Sequence, residues 1–418
     1  MEKNLLFITA RLPWPVDGGR KMSLNYYCRG LHEKFGYDVY LYCFLEDGQK
    51  YDGNCPDYIK DVFIAEDINI GDKVCNLLFK TFTGTAWPVQ CSLYYNNRNL
   101  KKIKEICNQI KPKVVFTEMI RTATYFKAFA GDGVLAIANL DDLLSKRYLR
   151  QAQTIRSKAN IAGAYAEKLP KLINKIIVNP IIKNMFLKFE SKRCQKWERK
   201  YYELYDYSMF TSPIEVNEMN KAMHADKAIT LSVGIDYDLF AREIPGLKKE
   251  KNTLSYVGNF KVAANSDTLK MICEEVLPFL KHDYKLYVIG SCPDELKTKY
   301  SSSRIVFTGR VKDLAENIRK TEIFLSPISY GTGIKTKIVE AMSMGMPIVT
   351  NNVGVEGIAA NSGKEIIIAD EYKDIAEAVD ELFENPIKRE QIGKLAQEFA
   401  YKNFRWEVVY KSFERVGL

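Results

Sequence analysis

Short runs rich in Val, Ile, Leu and aromatic residues alternate with longer helix-patterned stretches, and the chain does this twice. In the first half "NLLFITA", "DVYLYCF", "PKVVFTE" and "VLAIANL" read as strands, with helical runs such as "MSLNYYCRGLHEKFG" between them. From Thr253 the rhythm restarts with "TLSYVGNF", "KLYVIGS", "RIVFTGR", "EIFLSPI", "PIVTNN" and "EIIIAD". Strands that alternate with helices imply βαβ units and parallel sheets. At 418 residues the chain exceeds what one core usually holds. The expectation is an α/β protein of two doubly wound domains facing a cleft. The first spans 1–228, with a helical insert at about 149–203, and the second spans 229–400. A terminal helix, 401–418, carries Phe404, Trp406, Val408 and Phe413 and is expected to cross back to the first domain.

Composition narrows the function. Hydrophobic residues make up 46% and charged residues 27%, the balance of a globular chain. No window approaches twenty uninterrupted apolar residues, so no spanning helix is expected. "MEKNLLFITARLPWP" reads as a first buried strand and not as a signal peptide. Nine dispersed cysteines and three histidines fit reduced thiols in the cytoplasm and give no zinc spacing. "DYD" at Asp236–Asp238 and "LDD" at Leu140–Asp142 imitate metal-binding pairs, but Asp236 after a strand reads as a helix cap. No metal and no cofactor are expected.

The stretch "SPISYGTGIKTKIVEAMSMGMPIVTNNVGVEG", Ser326–Gly357, places glycines, lysines and one acid at the mouth of an apolar helix expected from about Ile334. Helix amino termini expose unpaired N–H groups and a partial positive charge, which suits phosphate. Gly331 and Gly333 let the backbone approach a ligand closely. Lys335 or Lys337 adds charge beside a diphosphate, or serves only solubility. Glu340 lies two turns in, where vicinal hydroxyls of a ribose are better partners than a phosphate. Together these describe a nucleoside diphosphate lying along the helix.

"GTGIKTKIVEAMSMGMPIVTNNVGVEGI" resembles the donor-site signature of the family-4 retaining glycosyltransferases, which have the two-Rossmann-domain B-type fold. The likeness is closest to a subgroup common in bacterial polysaccharide assembly. "LFITARLPWPVDGGRK", "NLDDLLSKRY", "LSVGIDYDLF", "YVGNFKVAANSD", "LYVIGS", "VFTGRVKD" and "FRWEVV" resemble, in order, further elements of that family. The resemblance implies transfer of a sugar from a nucleotide-diphosphate sugar to a glycan or polyprenyl-diphosphate-linked acceptor, as in capsule synthesis. It implies that Gly258, Lys261, Gly290 and the main chain of Arg310 and Val311 hold the nucleotide. Gly331, Thr332, Gly333, Ile334 and Lys335 would hold sugar and diphosphate, with Lys335, Lys337 and Glu340 as catalytic groups. In the first domain Gly18, Gly19 and Arg20 would meet acceptor or phosphate, while Asp141 either orients the acceptor or caps the next helix. Thr332 departs from the pattern, because the family commonly has a glutamate eight positions before the ribose acid. Only Lys261 remains of an expected Arg–Lys pair. Those departures keep open a second reading, a non-catalytic subunit that partners an active transferase. "PWPVDGGRK" lacks Gly-x-Gly-x-x-Gly, which argues against a nicotinamide oxidoreductase.

Charge is uneven. Lys146 to Lys200 holds fifteen Lys/Arg and three Glu, a balance of +12 within a chain of net +9. The block is either a solvated helical face or a surface for one anionic partner. "KLINKIIVNPIIKNMFLKF" mixes apolar residues with lysines and points to the inner face of the plasma membrane or a lipid-linked acceptor. Nucleic acid is not expected, since no stacking aromatics accompany the charge.

Overall fold

The computed structural model describes residues 3–16, 19–46, 48–131, 133–153 and 180–418. Residues 154–179 of the expected helical insert, and with them the middle of the basic block, lie outside the described residues. The chain divides into two compact units. The first runs to Leu149, resumes through the helix from Pro180 to Ser232, and takes in Tyr410–Leu418; the second is built on Val233–Val409.

The first unit holds a parallel sheet of β1 (Asn4–Thr9), β2 (Asp38–Cys43), β3 (Asp61–Ile64), β4 (Val114–Glu118), β5 (Leu135–Asp141), β6 (Tyr207–Phe210) and β7 (Ala228–Thr230). Its spatial order is β3-β2-β1-β4-β5-β6-β7. β1, "NLLFIT", is buried at all six positions because helices cover both faces of a parallel sheet. In-register pairing joins Leu5 to Val39 and to Val114. β3 escaped the sequence reading: it is a four-residue edge strand after a loop rich in Asp, Gly and Pro, too short to show a period. The pairing of β5 with β6 shifts between Asn139 and Asp141, and Asp141 has φ +71°.

The second unit repeats the plan with β8 (Thr253–Val257), β9 (Lys285–Ile289), β10 (Ile305–Gly309), β11 (Ile323–Leu325), β12 (Ile348–Thr350) and β13 (Ile367–Ile368). The order is β10-β9-β8-β11-β12-β13, so the winding reverses between β8 and β11. Ligands of such sheets collect beyond the carboxyl ends of the strands at that reversal. The period of two divides the core cleanly. On β11, Ile323 and Leu325 join a cluster with Leu254, Ile272 and Val379, while Phe324 between them points to the opposite cluster with Ile338, Met342 and Ala396. Val349 and Ile348 on β12 divide in the same way.

The chain end is not one helix from 401. A helix spans Pro386–Asn403, breaks at Phe404 and Arg405, and a second spans Trp406–Glu414. The break lets Arg405 bridge to Ile235, whose N–H donates to the Phe404 carbonyl at 2.9 Å. Phe413 is fully buried in the first unit, edge-on to Tyr27 at 5.9 Å, Phe35 at 5.9 Å and Phe116 at 6.1 Å. Phe413→Ala removes a ring from a site with little room to collapse, and is expected to cost about 3–5 kcal/mol. Chemical denaturation checks this; a loss below about 1 kcal/mol would show that the terminal segment adds little to that core.

Candidate functional site

In the second unit the glycine-rich loop leaves the carboxyl end of β11 and enters a helix at Thr336, which runs to Ser343. The helix starts two residues later than the sequence suggested. Gly333 has φ +68° and Lys335 sits in extended backbone at φ −88°, ψ 97°, so the first helical turn cannot form earlier. Lys335 holds the cap position, and its own side chain makes no capping hydrogen bond. A lysine there offers the leading N–H groups of the helix no side-chain acceptor of its own. Ile338, Val339, Ala341 and Met342 bury the opposite face in the core. That explains the apolar middle of the motif: one face anchors the helix so that its amino end stays fixed.

Three contacts stitch this loop and helix to the helix Ala263–Met271, which follows β8. The Ser329 and Thr268 hydroxyls lie 3.2 Å apart, Tyr330 OH donates to Asp267 Oδ2 at 3.1 Å, and Lys337 Nζ donates to Asn265 Oδ1 at 2.7 Å. The same ammonium lies 4.7 Å from the Tyr256 ring centre. Burial lowers the Lys337 pKa to about 7, with Glu340 opposing that shift. Burial raises the Glu340 carboxyl to about 7, with Lys337 opposing, although Glu340 keeps partial solvent exposure. Lys335 is differently placed: its Nζ donates to the Gly333 carbonyl at 2.6 Å and the Thr332 carbonyl at 3.3 Å.

The other nucleotide candidates cluster at the ends of β8, β9 and β10. Gly258 N–H donates to Ile289 O at 3.0 Å, and Gly290 N–H to Gly309 O at 2.9 Å. Gly290 has φ +129°, and a Cβ there would come within 2.0 Å of the Gly258 carbonyl oxygen. These two glycines therefore pack backbone against backbone. Lys261 and Arg310 are exposed, while Val311 and Ile334 rest against the core. Asp236 caps the helix Tyr237–Ala241 by accepting from Leu239 N–H at 3.2 Å, as its place after a strand suggested.

The first-unit candidates form a charged cluster at the carboxyl ends of β4 and β5. Arg20, one residue into the helix Gly19–Glu33, donates through Nη1 to Asp141 Oδ1 at 2.7 Å and through Nε to Glu118 Oε1 at 3.1 Å. Gly19 is exposed at the start of that helix, and Gly18 lies outside the described residues. Glu118, which the sequence reading missed, is fully buried and also accepts from Ala10 N–H at 2.8 Å. The available signal was an acid ending strand "PKVVFTE", as Asp141 ends β5. Burial alone would raise the Glu118 pKa, but the Arg11, Arg20 and Arg121 guanidiniums and the Ala10 amide bring it down to about 2. Burial pushes the Asp141 carboxyl up, and Arg20 holds part of that back. Arg20 keeps Nη2 buried with no hydrogen-bond partner among the described residues. Asp141 does not cap the next helix; buried Glu198 does, accepting from Ser145 N–H at 3.0 Å and from its hydroxyl at 2.6 Å. His32 is structural, its Nδ1 being 2.9 Å from Tyr37 O.

Residues 251–385, which contain this loop, its helix and the partners named on the helix Ala263–Met271, match the family described as "Glycosyl transferases group 1". The second unit carries a group 1 glycosyltransferase domain. Both units together have the B-type glycosyltransferase fold. Sucrose-phosphate synthase from Thermosynechococcus elongatus superposes with TM-score 0.68 over 99% of this chain and 98% of its own, at 14% identity. Anabaena HepE, in complex with UDP and glucose, gives 0.65 over 99% of both chains at 11% identity. A 44.6 kDa protein from the cps region of Klebsiella pneumoniae is 22% identical over 56% of this chain and 62% of its own. The chain spans less than two thirds of the length of the curated relatives it matches.

Glu118 supplies a pH test of the first-unit cluster. Its pKa is about 2 folded against an ordinary 4.5, so its ionisation stabilises the fold above about pH 4.5 and that contribution fades as pH falls toward 2. Glu118→Gln is expected to lose about 3 kcal/mol at pH 7, with the difference from the unaltered protein shrinking through that acid window. A difference independent of pH would show that the carboxylate charge contributes nothing.

Proposed function

We propose that the chain transfers a sugar, with retention at the anomeric carbon, from a nucleoside-diphosphate sugar to a glycan or polyprenyl-diphosphate-linked saccharide during cell-surface polysaccharide assembly. The observation that carries this is the amino end of the helix Thr336–Ser343, reached through Gly331 and Gly333, with Glu340 farther along the same helix. The family match of residues 251–385, the UDP and glucose bound by HepE, and the cps-region relative support the same reading.

The chemistry follows from where charge develops. As the bond between the anomeric carbon and the diphosphate oxygen breaks, the sugar becomes oxocarbenium-like and negative charge gathers on the leaving group. N–H groups fixed at the helix mouth stabilise that charge without reorganising, and such preorganised donors are the main source of rate enhancement in a site of this kind. Lys335 turns from the loop carbonyls toward the diphosphate. Lys337, tied to Asn265 and Tyr256, holds the β8 and β11 sides together and sits beside Glu340, which receives the ribose hydroxyls. The acceptor hydroxyl gives its proton to the departing phosphate, and Arg20 with Asp141 orients the acceptor. Protein amides and lysines meet the charge, so no divalent metal and no cofactor enter the scheme.

Thr332 at the usual glutamate position favours a second reading, a non-catalytic subunit that binds nucleotide beside an active transferase. A thermal-shift screen against UDP, GDP, ADP and their sugars separates the readings. One nucleotide is expected to raise Tm, and Glu340→Ala is expected to weaken its binding about tenfold or more. Hydrolysis of the matching donor then marks an enzyme, and binding without turnover marks the subunit. Equal shifts in both proteins would remove Glu340 from the ribose.

A further inference from the structure

Two neighbouring segments of the first unit expose large apolar groups. On the helix Pro180–Leu204, Ile181, Met185 and Phe189 follow each other at i, i+4 and i+8 and are 71%, 55% and 57% exposed. That spacing puts them on one stripe. Toward the carboxyl end the exposed residues of the helix include Lys188, Lys192, Lys196, Arg199 and Lys200. Its acids hardly offset them. Glu190 and Glu198 are buried, accepting from Val89 N–H at 2.5 Å and from Ser145, and only Glu203 is exposed. The face is thus apolar at its amino end and strongly basic beyond.

The second segment, Ile70–Phe82, repeats the spacing. Ile70, Val74, Leu78 and Phe82 stand four residues apart and are exposed, and Phe79 beside them is 66% exposed. The two segments meet through Arg193, whose guanidinium lies 5.3 Å from the Phe82 ring centre. Arg193 is also one turn beyond Phe189 on its own helix. Trp197 fixes the approach, donating from Nε1 to Ala86 O at 3.1 Å and packing edge-on against Trp87 at 5.6 Å. The two exposed segments therefore adjoin at Phe82 and Arg193, with the lysines of the helix beyond.

We propose that this composite surface docks on an anionic lipid bilayer, with Phe79, Phe82, Met185 and Phe189 entering the headgroup boundary and the basic row facing the charged headgroups. Protein–protein contact cores are depleted of charge, particularly of lysine. An exposed apolar stripe edged by lysines has instead the make-up of an interfacial membrane anchor, for which charge complementarity selects anionic lipid. The sequence located the basic block but not the Ile70–Phe82 segment, which is far away in the chain. The inference does not rest on the donor-site reading, so each can fail alone.

Vesicle co-sedimentation of the full chain tests it. Binding is expected to phosphatidylcholine vesicles containing about 30% phosphatidylglycerol, with little binding to phosphatidylcholine alone. Phe79→Ser with Phe189→Ser is expected to weaken partitioning about tenfold or more with Tm unchanged, since both side chains are exposed. Lys192→Glu with Lys196→Glu is expected to abolish the preference for anionic lipid. Equal partitioning of the unaltered protein and the Phe79→Ser/Phe189→Ser protein would overturn the proposal. So would a dimer in solution that the same two changes dissociate, because the surface would then belong to a second copy.

Discussion

The helix Thr336–Ser343 begins at Lys335, whose own side chain does not cap it, and the catalytic proposal depends on that helix end being held still. Capping residues such as Ser or Asp usually close a helix start, and their loss commonly costs about 1 kcal/mol. Here Lys335 occupies the position and turns its ammonium back to the loop carbonyls of Gly333 and Thr332. Core burial of Ile338, Val339 and Met342 fixes the helix from one side, and Asn265, Asp267 and Thr268 fix the loop from another. Amides held at a helix start in this way suit an anion that arrives from outside.

Both units place their charged candidates beyond the carboxyl ends of central strands, and they solve the electrostatics in opposite ways. In the first, Glu118 is ringed by guanidiniums and stays ionised far below its ordinary range. In the second, Glu340 and Lys337 are brought toward neutrality near pH 7, burial being the chief cause in each case. The first arrangement fixes a charged scaffold for Arg20 and Asp141. The second leaves a carboxyl and an amine that both titrate near pH 7.

The parallel sheets were legible because buried strands such as "NLLFIT" and "EIFLSPI" are short, branched and bounded by turns. β3 was not, since four residues at an edge carry no usable period. The loop and helix entry around Gly331–Glu340 were legible to within two residues because glycine, lysine and helix-entry signals are local. What stayed hidden was long-range: Asn265 lies 72 residues from the Lys337 it receives, and Glu118 lies 98 residues from Arg20. The same holds for Glu198, which caps a helix 53 residues earlier, one of the two roles that the sequence left open for Asp141. Local chemistry can be read from adjacent letters, whereas a partner across the sheet depends on the topology that brings it there.

In the proposed reaction pyrophosphate sits on the amides at the start of the helix Thr336–Ser343 and a ribose on Glu340. The most direct measurement is a crystal structure of the protein with the nucleotide diphosphate that binds it. The expected result is phosphate oxygens within about 3 Å of main-chain nitrogens between Gly333 and Lys337, and ribose hydroxyls donating to the Glu340 carboxylate. A nucleotide bound elsewhere, with those nitrogens facing water or the chain's own side chains, would contradict it.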